Sequence, residues 1–229
     1  MPTAIGLSSR YRAWHSSGLG QITEGLERNL LLELAGPVAG KSVLDLGCGD
    51  GRLLSDLQKR GALAQGIDAD PEMVAQARAS NPALDIQEGD AANLPYADGS
   101  FDLVIANTLL CLVANRAKTL FEAARVLKPG GRFVIGELGR YSLWAAIRRV
   151  KGWLGSGLWR NSRFSSSTAL RRELERAGLA VTATRGAVFY PPWSWAARLV
   201  APFDCLLGHQ TTFGAAYIAT SARKPYDER

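Results

Sequence analysis

The chain has 229 residues, 47% of them hydrophobic and 21% charged, with a formal net charge of +6. That composition excludes a disordered chain, and the length suits one domain whose core needs neither disulfides nor a structural metal. No run approaches the roughly 18 uninterrupted apolar residues of a membrane span, and residues 1–10 lack the basic-then-apolar order of a secretory signal, so a soluble cytoplasmic protein is expected.

In chain order the pattern alternates helix and strand. Residues 22–34 read as a helix with Leu26, Leu30 and Leu34 four apart on one side. A short β-type run at 41–46 ends in glycines, and a helix at 50–60 and a strand at 62–67 follow. Pro71 suits the first turn of a helix over 72–79, where its missing N–H would be unpaired anyway, and Asp70 is the capping candidate. Strands are expected at 84–88 and 101–106, the second buried on both faces, then a helix at 117–127. Lys128-Pro129-Gly130-Gly131 reads as a turn before a fifth strand at 132–137. A helix at 168–177 stops at Gly178, and strands at 180–190 and 214–222 flank a helix at 195–207. The order predicts an α/β fold: a Rossmann-like, doubly wound, seven-stranded mixed sheet. Cys48, Cys111 and Cys205 are odd in number and far apart, with no CxxC pair and two histidines in the chain. They read as small buried thiols, and no metal site is expected.

The chemistry begins where the first strand stops. Val43-Leu44-Asp45-Leu46-Gly47-Cys48-Gly49-Asp50-Gly51 places three alternate glycines between a strand and a helix. Glycine lets the backbone turn sharply and a ligand approach it, and a helix start aims free N–H groups at the crevice. A dinucleotide loop uses the same devices, but the last glycine of its GxGxxG is Arg52 here. Asp45 also stands two residues before Gly47, and a carboxylate there favours a cationic ligand over a pyrophosphate. Gly66-Ile67-Asp68-Ala69-Asp70-Pro71 ends the second strand on an acid whose two oxygens suit a cis-diol. Gly89-Asp90-Ala91 with Leu94-Pro95-Tyr96 and Gly99-Ser100-Phe101-Asp102, and then Val126 to Gly131, complete the series.

In these four motifs, over roughly residues 10–138, the chain resembles the class I S-adenosylmethionine-dependent methyltransferases of the small-molecule type. The resemblance implies S-adenosylmethionine as cofactor and methyl transfer by in-line displacement. It places Asp45, Gly47, Cys48 and Gly49 at the cofactor, Asp68 on the ribose hydroxyls beside Ala69, and Asp90 and the Ala91 N–H on the adenine. Asn107 falls beside the methionine part, and Tyr11 and Trp14 resemble the cofactor-covering segment of some relatives. Plainer roles exist for each: Asp45 as a cap of the turn, Asp68 as a helix cap, Asp90 as a loop acid, Asn107 as a turn residue, and Tyr11 and Trp14 as core. The layout expected is one domain over 1–229, with a helical cover at 1–40, a cofactor-binding core at 41–138, a basic lid at 139–167 and the C-terminal part of the sheet at 168–229.

Asn107-Thr108-Leu109-Leu110 lacks the Asn/Asp-Pro-Pro-aromatic run with which the family's base-amine enzymes grip a flipped-out base, which argues against nucleic acid. Cys111 follows Leu110 and not proline, against a cytosine-carbon nucleophile, and where many small-molecule relatives have histidines Leu110 and Cys111 make the wall apolar. A small hydrophobic acceptor is expected, with Trp14, Leu110, Tyr141 and Trp144 lining its pocket. His15, His209, Tyr141 and Glu137 are candidates if the acceptor needs a base; none sits in a recognisable motif, so no catalytic residue is assigned. An RNA methyltransferase, suggested by a pI near 9.5, and a non-catalytic subunit acting through a partner remain open.

The basicity is local. Residues 1–139 carry 13 basic and 16 acidic side chains, whereas 140–176 carry nine and two. Over 143–154 Leu143, Ile147, Val150 and Leu154 share a helical face, Arg148, Arg149 and Lys151 lie towards the other side, and Trp144, Trp153 and Trp159 are nearby. That composition fits a helix in peripheral contact with an anionic membrane. It fits, more simply, a lid that packs its apolar face inward and leaves its arginines in water, and Gly152 and Gly155 suit a lid.

Overall fold

A computed structural model of the chain describes Trp14 and residues 16–226, without the side chain of Asn161. Tyr11 and His15 lie outside the described residues. Helix α1 (Gly18–Ala35) begins where the Ser17 side chain accepts the Gly20 N–H and ends at Gly36, whose φ of 68° turns the chain out. Then come β1 (Ser42–Leu46), α2 (Arg52–Lys59), β2 (Leu63–Asp68), α3 (Pro71–Ser80), β3 (Asp85–Glu88), β4 (Phe101–Asn107), α4 (Arg116–Val126) and β5 (Leu127–Leu138). Helices α5 (Leu143–Trp153), α6 (Gly157–Asn161) and α7 (Ser167–Arg176) precede β6 (Ala180–Ala187), α8 (Ser194–Gln210) and β7 (Tyr217–Arg223).

The strands form the expected seven-stranded mixed sheet, in the order β3-β2-β1-β4-β5-β7-β6. β7 runs antiparallel to both its neighbours, and the other pairs are parallel. Alternation sorts the strands into two cores. Val43, Leu103, Ile105 and Val134 join the core with α1, α2 and α3, while Leu44, Val104, Phe133 and Ile135 join the one with α4 and α7. The strand order reverses between β1 and β4, so the crevice at their C-terminal ends is where a ligand fits an open α/β sheet.

Four expectations are corrected. Residues 128–131 are not a turn before β5 but a bulge inside it: the register against β4 jumps from Phe101–Leu127 to Leu103–Arg132. Gly130, at φ 75°, donates to the Lys224 carbonyl, and Lys224 donates back to Gly131, both at 2.9 Å, so the bulge is held from the β7 side. β6 stops at Ala187 and not at 190, because the Asp204 carboxylate accepts the Val188 and Phe189 N–H groups at 2.8 and 2.9 Å and holds Val188 at φ 64°. Cys205 is exposed and not a buried thiol.

The fourth correction concerns 143–154. The chain breaks at Gly155 (φ 105°), and α5 buries Trp144, Ala145 and Gly152 while Leu143, Val150 and Leu154 are exposed. Two contacts choose that face. The Trp144 indole N–H donates to the Tyr190 carbonyl at 2.7 Å, and α6 closes so tightly on Gly152 that a Cβ there would lie 3.0 Å from the Trp159 carbonyl carbon. Arg148 is not in water with Lys151: its guanidinium lies between the Trp144 and Trp159 rings, 5.0 and 4.8 Å from their centroids.

Candidate functional site

The β1–α2 turn is left-handed at Gly47, Gly49 and Gly51, with φ of 70°, 53° and 76°. At two of these positions space also demands glycine: a Cβ would meet Leu109 Cδ1 at 2.8 Å from Gly47 and Leu84 Cδ1 at 2.6 Å from Gly51. The Gly47 and Cys48 N–H groups donate to the Ile67 carbonyl at 2.8 and 3.2 Å, which fastens the turn to the end of β2. Gly51 caps α2 without a side chain.

Asp68, the last residue of β2, locks this corner. Its Oδ2 accepts the Gly49 N–H at 2.8 Å and its Oδ1 the Asp70 N–H at 2.9 Å. A carboxylate has about four lone-pair sites, so each oxygen keeps capacity for a hydroxyl. Asp70 is the cap of α3, accepting the Glu72 N–H at 2.9 Å, so Asp68 is not spent on that role.

Asp45 is 1% exposed, and its Oδ2 has no hydrogen-bond partner. Burial pushes its carboxyl up to about 7, and Asp68 and Asp50 push it the same way. Arg52 is turned to Asp50 at 2.9 Å and Glu24 at 3.6 Å. A buried acid acted on by two more acids prepares the turn for a cation, and a diphosphate would meet all three carboxylates. The donor set therefore fits S-adenosylmethionine, which carries a sulfonium and an ammonium beside a ribose diol.

The other predicted cofactor residues lie around the same strand ends. Cys48 is buried, and burial pushes its thiol well above the usual range, so it acts as a small apolar wall. Ala69 is exposed at the β2 end. Asp90 is exposed and its Oδ1 accepts the Ala92 N–H at 2.8 Å, with Ala91 buried beside it. Asn107 Oδ1 accepts the Tyr217 hydroxyl at 2.8 Å, which orients its amide from β7.

On the acceptor side Leu110 is completely buried and clamped at both backbone groups. Its N–H donates to Glu137 Oε1 at 2.7 Å, and its carbonyl accepts Arg116 Nη1 at 3.1 Å. The Cys111 thiol donates to the Thr108 carbonyl at 3.0 Å, below a Thr108 at φ 51°. Glu137 is fully buried with its Oε2 unpaired, and burial pushes it up to about 8. Trp14 meets Trp144 edge-on at 5.7 Å. Two of the four expected pocket residues do not join the Trp14–Trp144 pair: Leu110 belongs to the core with α4 and α7 whereas Trp144 belongs to the one with α1, and Tyr141 is exposed and stacks on Phe213 at 6.3 Å. His209, also exposed, lies against Arg185 and Glu33 on the α1–α8 surface. Of the described base candidates, Glu137 is the one at the strand ends.

Sequence reasoning missed the charge inside this wall. Burial pushes Glu27 of α1 up to about 8, against the opposing pull of the Arg148 cation. The signal was available: Arg148 stands four residues after Trp144, on the same side of a helix. Glu33, Cys205 and His209 also place ligand atoms within 4.8 Å of one another, but the Arg185 cation lies against both His209 and Glu33. Two open hollows, about 420 Å³ beside Arg171 and Thr184 and about 530 Å³ beside Gln58 and Asp85, contain none of the expected cofactor or pocket residues; of the base candidates His209 lines the first.

A family model described as a methyltransferase domain matches residues 44–135. The chain is 32% identical over 185 residues to a ubiquinone biosynthesis O-methyltransferase of Cereibacter sphaeroides, an alignment covering 76% of this chain and 74% of that protein. It is 37% identical over 127 residues to a demethylmenaquinone methyltransferase of Beutenbergia cavernae, covering 56% and 52%. The chain spans from 34% to 66% of the length of the first curated relatives it matches. Its fold superposes on an S-adenosylmethionine-dependent methyltransferase of Thermotoga maritima with a TM-score of 0.72 at 20% identity, over 96% of each chain. That last likeness shows the fold alone.

Proposed function

The chain belongs to the class I S-adenosylmethionine-dependent methyltransferases, and from that membership we propose that it transfers a methyl group to a small, hydrophobic acceptor. The observation that carries the donor half is the buried Asp45 with its unpaired Oδ2, just before a glycine turn and acted on by Asp68 and Asp50. Asp45, Gly47, Gly49 and Asn107 would hold the methionine part, Asp68 the ribose diol, and Asp90 with the Ala91 N–H the adenine, with Cys48 and Ala69 beside them. S-adenosylmethionine supplies a methyl already activated by its sulfonium. The chain then has to align the acceptor and exclude water.

The acceptor half rests on the Trp14–Trp144 pair, on the apolar Leu110 that follows β4 and on the absence of a base-gripping run there. The names of two relatives point to quinone-pathway acceptors, which fit such a wall. In this reading residues 1–40 cover a core at 41–138, 139–167 form the lid, and 168–229 complete one domain. An acceptor too apolar for water is met at a bilayer, so peripheral contact of a cytoplasmic protein with an anionic membrane belongs to the same proposal.

The test is purified protein with methyl-labelled cofactor, offered apolar phenols and quinols in detergent and, separately, total RNA. Label in the apolar acceptors and not in RNA is expected. Label in RNA alone overturns the acceptor half. Cofactor binding with no turnover on anything offered overturns the enzymatic reading in favour of a subunit that acts through a partner.

A further inference from the structure

Helix α8 is amphipathic in the wrong direction for a helix with nothing outside it. Its inward side buries Ala196, Ala197, Asp204 and Gly208 against the protein. Outward, Trp195, Leu199, Phe203 and Leu206 follow at intervals of four, four and three, which is one side of a helix, and each is more than 60% exposed. Trp193, just before the helix, lays its ring parallel to Trp195 at 6.2 Å. Single exposed leucines need no explanation, but a contiguous stripe of large apolar side chains marks a contact surface.

The stripe has a neighbour. Both ends of the 190–214 segment are pinned to the start of the inserted helices: the Tyr190 carbonyl accepts the Trp144 indole N–H at 2.7 Å, and the Gly214 N–H donates to the Tyr141 carbonyl at 3.0 Å. Beyond that junction α5 exposes Val150, and Trp153 and Leu154 follow at 82% exposure each.

Charge identifies what covers these side chains. No acidic residue occurs between Glu137 and Glu173, and between Glu175 and Asp227 the one acid is Asp204, which is 1% exposed and spent on two backbone N–H groups. The exposed charges of both segments are therefore cations: Arg140, Lys151, Arg160, Arg163 and Arg198 among them. A second copy of this chain would bring cations against cations. Tryptophan, leucine and phenylalanine fringed by arginine and lysine, with no exposed acid in either segment and Glu33 of α1 held by Arg185 and His209 at the far end of α8, match an anionic bilayer surface, where indoles sit at headgroup level and each cation meets a lipid anion. No described helix is long and apolar enough to cross a membrane, so the contact lies in the plane of the surface.

Building on the lipophilic acceptor proposed above, we infer that the protein docks on anionic lipid through the outer stripe of α8, with the exposed end of α5 as its flank. The inserted segment alone does not make this surface, because Arg148 is turned inward and α8 supplies the longest apolar row.

The test is co-sedimentation of the full chain with vesicles of phosphatidylcholine and with an equal mixture of phosphatidylcholine and phosphatidylglycerol, at low and moderate salt. Binding to the anionic vesicles that weakens with salt is expected. Leu199→Gln with Phe203→Gln should weaken it by more than about tenfold, and Lys151→Gln with Arg198→Gln by about tenfold. All four positions are surface ones, so cofactor affinity serves as the folding control. Equal binding to both vesicle types, no binding, or α8 variants that bind like wild type would overturn the inference; so would self-association that depends on Leu199 and Phe203 without vesicle binding. Vesicle binding by a protein that methylates only water-soluble acceptors would keep the docking face and refute the lipophilic acceptor. Turnover of a detergent-dispersed apolar acceptor without vesicle binding would do the reverse.

Discussion

The two sides of the crevice are held by different means. On the cofactor side backbone geometry dominates: three left-handed glycines, two amides on one carbonyl, and an aspartate clamped by two backbone N–H groups. On the acceptor side side-chain surfaces dominate: a tryptophan pair, an arginine between two indoles, and a glutamate and an arginine that pin one leucine. Backbone geometry restricts residue type at fixed spacing, whereas a packed surface accepts many solutions. The first side should therefore be brittle to single atoms, and the second should yield in smaller steps.

The largest effect expected is at Gly51. Alanine there must adopt a left-handed conformation, at about 1–2 kcal/mol, and overlap Leu84, at about 1–3 kcal/mol more. Gly155→Ala in the inserted segment has positive φ too but nothing within 4 Å, so it should lose the conformational part alone. Thermal unfolding of both variants measures the contrast, and equal losses would mean that the glycine turn can give way.

Next comes Asp68→Ala, which removes the acceptor of two backbone N–H groups and of the proposed diol. Cofactor affinity should fall by about 1.5–3 kcal/mol, roughly 10- to 150-fold. Calorimetry that finds wild-type affinity in a folded Asp68→Ala protein would remove the residue from the site. A smaller change is expected on the other side. Arg148→Leu gives up two ring contacts, about 1–2 kcal/mol of stability together, and takes from Glu27 the cation that opposes its rise. Cofactor affinity should stay within about twofold of wild type. A larger change would show that the two sides are coupled through α1.

The same contrast explains what could be read from the chain. The seven-stranded mixed sheet and the placing of Asp45, Asp68 and Asp70 at its first two strand ends are legible, because glycines, a proline and an acid at set distances leave few geometries. Gly130 announced positive φ, yet a bulge and a turn share that residue chemistry, and the strand beside Lys224 decides between them. The end of β6 was hidden because its cause, Asp204, lies 16 residues from Val188. Of the two readings of α5, the one that packs its apolar face inward fails: Leu143, Val150 and Leu154 outweigh Trp144 and Gly152 in periodicity, while partners distant in sequence choose the buried side. Tyr141 leaves the expected pocket because it stacks on Phe213, a partner 72 residues away, and is turned outward.

The smallest effect separates the two sides by proton and not by affinity alone. Burial first, then Asp68 and Asp50, raise Asp45 from an ordinary 3.8 to about 7 in the protein without ligand. The folded value is the higher one, so between those values the folded state holds more proton than the unfolded chain. Stability from the protonated acid is full below about pH 4 and is lost as pH rises towards 7. A ligand ammonium opposite Asp45 reverses the preference: it favours the carboxylate, binding expels the proton, and affinity falls as pH drops below 7. One proton limits the slope to about tenfold per pH unit. An α-amino group loses its own charge at about 7.7–8.0, so the window to examine lies between about pH 5.5 and 7.5. Calorimetry in two buffers of different ionisation heat should detect release of up to about one proton near pH 6.5 in wild type. Asp45→Asn should bind more weakly at pH 7.5 and release none, whereas Arg148→Leu should keep the wild-type profile. A pH-independent wild-type affinity across that window would mean that Asp45 does not meet a cation, and the glycine turn would then have to be read as a structural corner.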